Sequence, residues 1–273
     1  MISFAIKTLK AWVDEQEMIG HWTFSNDEAL AALSRFSNAA LSSELNRLVT
    51  AGRIACVHRG FYVIIPVRYR RAGVVPPQYF VDDLFKYLGK PYYIGLLSAA
   101  MIHGAAHQMP QVDFVMTIPP RMTLSKKRNL NLRWIYRASV PEAFILERHG
   151  ENGVVRYSSA ELTALDLVQY VQHVGGLSSV ATVLAELCEA MSPEKLTAEL
   201  VGEFKVATVQ RLGYLLEDVL EERELADALF AASRKKGARF QPILLRSTSH
   251  EPVRTKAARW NISVNDTVEV DDL

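Results

Sequence analysis

The chain has 273 residues, 49% of them hydrophobic and 22% charged, with a formal net charge of +1; this is globular composition at a length that suits two domains. A balance so near zero says nothing by itself about polyanions and leaves only local charge to point to a partner. Two cysteines, Cys56 and Cys188, stand far apart without CxxC spacing, which excludes a disulfide framework or zinc ribbon and suits a reducing compartment.

The start, MISFAIKTLKAW, is interrupted by Lys7 and Lys10 and lacks the shape of a secretory signal. No apolar run approaches the roughly 20 residues that cross a bilayer. A cytoplasmic protein with no membrane partner is therefore expected. Ile2, Ile6, Leu9 and Val13 recur at the spacing of one helical stripe. Ser25-Asn26-Asp27-Glu28 is a capping box that opens a short second helix, with Leu30 and Leu33 inward. Ser37 caps a third helix running to about Ala51, with Leu41, Leu45 and Leu48 toward the core and Gly52 at its end. Arg53–Val57 and Phe61–Ile65 flank His58-Arg59-Gly60 and predict a β-hairpin. Helix, short helix, longer helix and hairpin, in that order, make the pattern of a winged helix-turn-helix.

With the leucines of the third helix inward, its opposite face presents Ala39, Ser43, Asn46, Arg47 and Thr50, with Ser42 at the edge. Small and hydrogen-bonding side chains of this kind let a helix enter a major groove and read base edges. Between Arg35 and Arg71 there are seven arginines (Arg35, Arg47, Arg53, Arg59, Arg68, Arg70, Arg71) and one acid, Glu44, the local basic footprint that duplex binding requires. DNA contact is expected from Arg35, Asn38, Ser42, Ser43, Asn46, Arg47, Thr50, Arg59, Arg68, Arg70 and Arg71. Winged helices that bind protein instead share the same pattern.

Pro66, Pro76 and Pro77 punctuate an expected linker, dividing a head, residues 1–75, from a larger domain, residues 76–273. There, Asp82–Leu88 and Tyr92–His103 read as helices. Val112–Ile118, the alternating Leu130–Arg137 and Val154–Tyr157 read as strands. Helices are expected over 159–173, 177–191, 193–201 and 204–232, with breaks at Gly175-Gly176 and Ser192-Pro193, and strands at Pro242–Arg246 and Asn261–Val270. The class is α+β: a winged helix-turn-helix followed by a larger mixed helix and sheet domain, not an alternating βαβ series. Two stretches are locally basic, 121–137 with six cations and no acid, and 234–259 with eight cations and Glu251. Their composition fits nucleic-acid flanks and solvated loops equally.

Catalytic patterns are weak. His103 and His107 have HxxxH spacing, but Gly104 ends the helix between them and the Glu of HExxH is missing. Glu161 and Asp166, five apart on a helix, point in different directions, and Glu161 suits a cap with Ser158. GxSxG, GxxxxGK[ST] and GxGxxG are absent. Neither a cofactor nor a metal is called for, and a non-enzyme is expected.

Four segments carry a family resemblance: YYIGLLSAAMIHGAAHQMPQVDFVMT (Tyr92–Thr117), YSSAELTALDLV (Tyr157–Val168), QRLGYLLED (Gln210–Asp218) and RWNISVNDTVEVD (Arg259–Asp271). Together with the head, they resemble the AbiEi family, antitoxins of type IV abortive-infection toxin–antitoxin systems. The resemblance implies that the head binds inverted repeats in double-stranded operator DNA and represses its own operon. It also implies that the C-terminal domain counteracts a nucleotidyltransferase-like toxin without stable direct contact. Tyr92, Tyr93, Leu96, Leu97 and Trp260 are expected in the core. Two other arrangements fit the same elements: a ligand-responsive winged-helix regulator, and an enzyme with an appended DNA-binding head.

Overall fold

A computed structural model of the chain describes residues 8–71, 75–105, 112–122, 132–150, 153–249 and 251–270. The fold is α+β. Helix α1 (Leu9–Met18) begins where the Thr8 hydroxyl accepts from Ala11 N at 3.1 Å, and it buries Leu9, Trp12 and Val13; Ile2 and Ile6 of the expected stripe lie outside the described residues. A short strand, β1 (Thr23–Ser25), leads into α2 (Asn26–Ala32). The capping box is formed: Ser25 N donates to Glu28 Oε2 at 2.6 Å, and Glu28 N donates to Ser25 Oγ at 3.2 Å. Helix α3 (Asn38–Thr50) is capped by Ser37, and the chain turns at Gly52 with φ +66°, a left-handed conformation that glycine adopts without steric cost. Strands β2 (Ile54–His58) and β3 (Phe61–Ile64) form the expected hairpin. Sequence reading leaves β1 unassigned, yet it completes an antiparallel sheet of order β1-β3-β2.

This small sheet is buried on both faces. On one, Ile54 and Ile64 pack with Leu9, Trp12, Val13, Phe24, Leu33 and the α3 leucines Leu41, Leu45 and Leu48. On the other, Ala55, Val57, Phe61, Val63 and Ile65 pack with Tyr79, Phe80, Leu84 and Phe85. The intervening chain holds a single turn, α4 (Val67–Arg70), and leads to α5 (Val81–Leu88), which ends on left-handed Gly89.

Tyr92–His103 is not one helix, as expected, but strand β4 (Tyr92–Ile94) followed by α6 (Leu96–Ile102). An unbroken apolar run looks alike as buried strand and buried helix. The remaining strands are β5 (Asp113–Thr117), β6 (Leu132–Tyr136), β7 (Ile145–Gly150) and β8 (Gly153–Ser158), in the order β6-β5-β4-β8-β7. Sequence reading does not assign β7. Tyr92, Val115 and Leu132 join the core beneath α5, where Phe85 stacks on Tyr92 at 4.6 Å and meets Trp134 edge-on at 5.5 Å.

The chain forms two compact units, residues 1–93, 115–140 and 147–156 in one and residues 94–114, 141–146 and 157–273 in the other. These do not coincide with 1–75 and 76–273, because the core behind the hairpin draws on residues from both sides of the proline-punctuated stretch.

In the second unit, α7 (Ala160–Gln169) is capped by Ser159, which accepts from Leu162 N at 3.2 Å. The expected cap, Ser158, instead shares a 2.6 Å hydroxyl–hydroxyl bond with Thr163. Helices α8 (Leu177–Leu187), α9 (Ala198–Gly202), α10 (Val206–Tyr214) and α11 (Arg223–Lys236) follow, with a π turn at Leu215–Val219. The expected single helix over 204–232 is thus broken; Glu221, at φ +59°, reverses the chain before α11. Strands β9 (Ile243–Leu244), β10 (Thr255–Ala257) and β11 (Ile262–Val264) make a second small sheet, order β10-β11-β9. Trp260 is fully buried; its Nε1 donates to Glu217 Oε2 at 2.5 Å, and its carbonyl accepts from Gln210 Nε2 at 2.7 Å.

Two predictions follow from this packing. A Cβ at Gly213 would overlap the Trp260 ring. Overpacking of about 1–3 kcal/mol outweighs the helix-propensity gain of about 1 kcal/mol from alanine, so Gly213→Ala should lower the thermal midpoint; an unchanged or higher midpoint would refute this packing. Burial raises the Asp113 carboxyl from 3.8 to about 6, against the opposing bond from Ser98. A carboxyl raised on folding is unfavourable once ionised, so stability should decline as pH rises from 3.8 through about 6. Asp113→Asn should remove that decline and stabilise the protein near neutrality by about 1 kcal/mol, allowing for partial solvent screening; denaturant midpoints across the pH range test it.

Candidate nucleic-acid interface

The α3 helix has a hydrophobic seam and a polar back. Leu41, Leu45 and Leu48 are 3%, 2% and 8% exposed, whereas Asn38, Ser42, Ser43, Asn46, Arg47 and Thr50 are all exposed. Within this set, the Ser43 hydroxyl donates to Ala39 O at 3.1 Å, leaving its lone pairs outward. Arg47 pairs with Glu44 at 2.6 Å, both side chains being substantially solvated. Exposed pairs of this kind hold together by only about 0–1 kcal/mol, so Glu44 binds the guanidinium only weakly.

Arg59 stands exposed at the hairpin turn. Behind it the turn is firmly backed. Gly60 has φ +79°, and a Cβ there would stand 2.9 Å from the Tyr87 hydroxyl. That hydroxyl donates to Arg59 O at 3.4 Å, and the Tyr87 ring lies 5.3 Å from Phe61. Tyr87 was not among the expected site residues; it is an aromatic on α5, far from the head in sequence, and no local pattern links it to the turn.

The other arginines divide. Arg35 is exposed beside the ring of Phe36, and Arg71 is exposed. Arg68 lies 5.1 Å and 5.5 Å from the rings of Tyr69 and Tyr79, a cation–π arrangement that leaves its N–H edges outward. Arg70 donates to Ile65 O at 3.3 Å and pairs with Glu17 at 3.5 Å. Arg53 is the exception to the charge count: it is 8% exposed, bonded to Asp14 at 2.6 Å, and paired with Glu17. It belongs to a half-buried network that ties α1 to the start of β2. Its partners sit three apart on the polar edge of α1, a spacing legible in sequence once a buried cation is suspected.

The expected basic stretches fare similarly. Lys126, Lys127 and Arg128 lie outside the described residues. Arg137 is 8% exposed and donates to the Tyr93 hydroxyl at 2.6 Å, so it is a core residue. In the 234–259 stretch, Arg246 pairs with Asp266, and Arg259 bridges Glu217 and Asp227 at 3.1 Å and 2.7 Å.

The residues weighed for catalysis serve the framework. His103 follows α6, and its Nε2 donates to Ser158 O at 2.8 Å; His107 lies outside the described residues. Glu161, 1% exposed, accepts from Ser192 N at 2.9 Å, and Asp166 is fully buried in α7. Among the described residues, no group of three or more His, Cys, Asp or Glu is placed to hold a metal ion, and no helix is long and apolar enough to cross a membrane.

A crystal structure of the Rv2827c protein from Mycobacterium tuberculosis is similar in fold, with a TM-score of 0.66 at 14% identity over 93% of this chain and 89% of that one. No curated protein is similar enough in sequence to count as a match. Residues 93–218 match the family described as AbiEi antitoxin C-terminal domain. Over that stretch, just under half of its length, the chain is similar to the AbiEi antitoxins.

Proposed function

We propose that the first segment is a winged helix-turn-helix, with α3 as its recognition helix and the β2–β3 hairpin as its wing, and that the chain is a DNA-binding antitoxin repressing its own operon. The observation that carries this reading is the outward polar face of α3, where Ser42, Ser43, Asn46, Arg47 and Thr50 are exposed on a helix held from behind by leucines. Side chains of this size and hydrogen-bonding capacity suit a major groove, with Ser43, Asn46 and Arg47 reading bases. Arg59 on the wing, with Arg35, Asn38, Arg68, Arg70 and Arg71 around it, suits phosphates or the neighbouring minor groove. Inverted repeats fit two copies bound to one operator.

The match of residues 93–218 to the AbiEi antitoxin C-terminal domain supports the antitoxin half of this reading. The toxin counteracted would be nucleotidyltransferase-like, opposed without stable direct contact, in a type IV arrangement. In this reading the side chains proposed to contact DNA all precede residue 75, and the family match, 93–218, lies after it.

Gel shift with the duplex upstream of the gene should show binding that weakens steeply with salt. Arg47→Ala and Arg59→Ala should each cost about 1–3 kcal/mol where the arginine reads a base, while Arg53, being internal, should matter through stability alone. Retention of full affinity by both variants would overturn the placement of the interface. In toxin co-expression, the Arg47→Ala/Arg59→Ala double variant should still rescue growth while losing operator binding. Loss of rescue in a folded double variant would show that neutralisation runs through the head.

A further inference from the structure

One cavity in the second unit is unused by anything above. It has a volume of about 540 Å³ and lies where the Gly175-Gly176 bend, the start of α10 and the segment after β9 converge. Three cations line it: Lys205, Arg211 and Arg246. One carboxylate, Asp266, faces them and pairs with Arg246 at 3.3 Å.

Arg211 is the most informative of these. Its Nε donates to Leu245 O at 2.8 Å and its Nη2 to Leu244 O at 3.0 Å. Backbone carbonyls therefore hold the guanidinium in place without neutralising it. Burial lowers its pKa from the ordinary arginine value, the mark of a cation lodged where water solvates it poorly. Lys205 is exposed at the rim. Two cations thus remain after Arg246 and Asp266 are matched, one of them fixed in the wall.

The rest of the lining suits an oxygen-rich ligand. Ser178, Ser247 and Thr248 bring hydroxyls. Gly175 and Gly176, at φ +93° and +103°, expose backbone without side chains. Neither α8 nor α10, which begin at this cavity, has a side chain capping its first turn, so amide N–H groups add to the donors. The described residues that line it include no aromatic ring, which leaves nothing for a base to stack on.

We propose that this cavity binds a phosphate-class oxyanion, with Arg211 as the fixed cation and Lys205 at the rim as the second, and that it recognises the phosphate group alone. The sequence reads Gly175-Gly176 as a helix break; here the break is also one wall of a binding site. The proposal does not rest on the DNA-binding reading.

The test is calorimetry and thermal shift on the full chain, with pyrophosphate as probe and ADP, inorganic phosphate and adenosine as comparisons. Pyrophosphate should bind with submillimolar affinity and raise the thermal midpoint, and added salt should weaken it. Lys205→Gln, a change at an exposed side chain, should leave the unliganded midpoint unchanged and weaken pyrophosphate about five- to tenfold. Arg234→Gln, an exposed cation of α11 outside the cavity lining, should bind as the parent does. ADP should bind about as tightly as pyrophosphate, and adenosine should not bind. No binding at about 10 mM pyrophosphate, or equal weakening by Lys205→Gln and Arg234→Gln, would overturn the site. Binding of adenosine, or ADP more than about tenfold tighter than pyrophosphate, would overturn its assignment to the phosphate group alone.

Discussion

The head is organised by the burial of three leucines on one helix. Leu41, Leu45 and Leu48 pack against α1, α2 and the hairpin, and each is worth about 1.5–3 kcal/mol relative to exposure. The side chains on the back of the same helix are solvated, where substitutions usually change stability by no more than about 0.5 kcal/mol. Orientation therefore comes from one face and chemistry from the other. A rotation of α3 that presented Leu45 outward would forfeit far more than any contact made by Ser43 or Asn46 could restore.

Charge counted along the chain overstates charge offered to a partner. Arg53 is neutralised between Asp14 and Glu17, and Arg70 shares Glu17. Arg53 is the buried member of these pairs, so removing its carboxylates would leave its guanidinium charged and desolvated. Arg53 thus pins α1 to the end of α3 and the start of β2. The cations left facing solvent, among them Arg35, Arg47, Arg59 and Arg71, set the electrostatic reach of this surface.

What was legible in the sequence was local. The capping box at Ser25 and Glu28, the Ser37 cap, the leucine seam and the hairpin around Gly60 each follow from rules spanning a few residues, and each is present. Long-range pairing was not legible. Thr23–Ser25 is only three residues long and becomes a strand because β3 lies beside it. Tyr92–Ile94 runs unbroken into the apolar residues of α6, so no periodicity marks the change from strand to helix. Ile145–Gly150 is mostly exposed and lacks the alternation of a half-buried strand. The same limit applies to sites: the polar face of α3 is contiguous enough to read, whereas Arg53 with Asp14 and Glu17, and Arg211 with Leu244 and Leu245, meet only after folding.

The hairpin read as a wing is a partition with apolar rooms on either side. Ala55, Val57, Phe61, Val63 and Ile65 face away from the helices of the head and are covered by Tyr79, Phe80, Leu84 and Phe85. A fragment ending at the proline-rich stretch would leave that side wet and sticky, the kind of open apolar patch that drives self-association. The head is consequently a poor candidate for transplantation onto another protein by a cut in the obvious place. A portable version would have to carry α5 along, or replace the five covered side chains with polar ones.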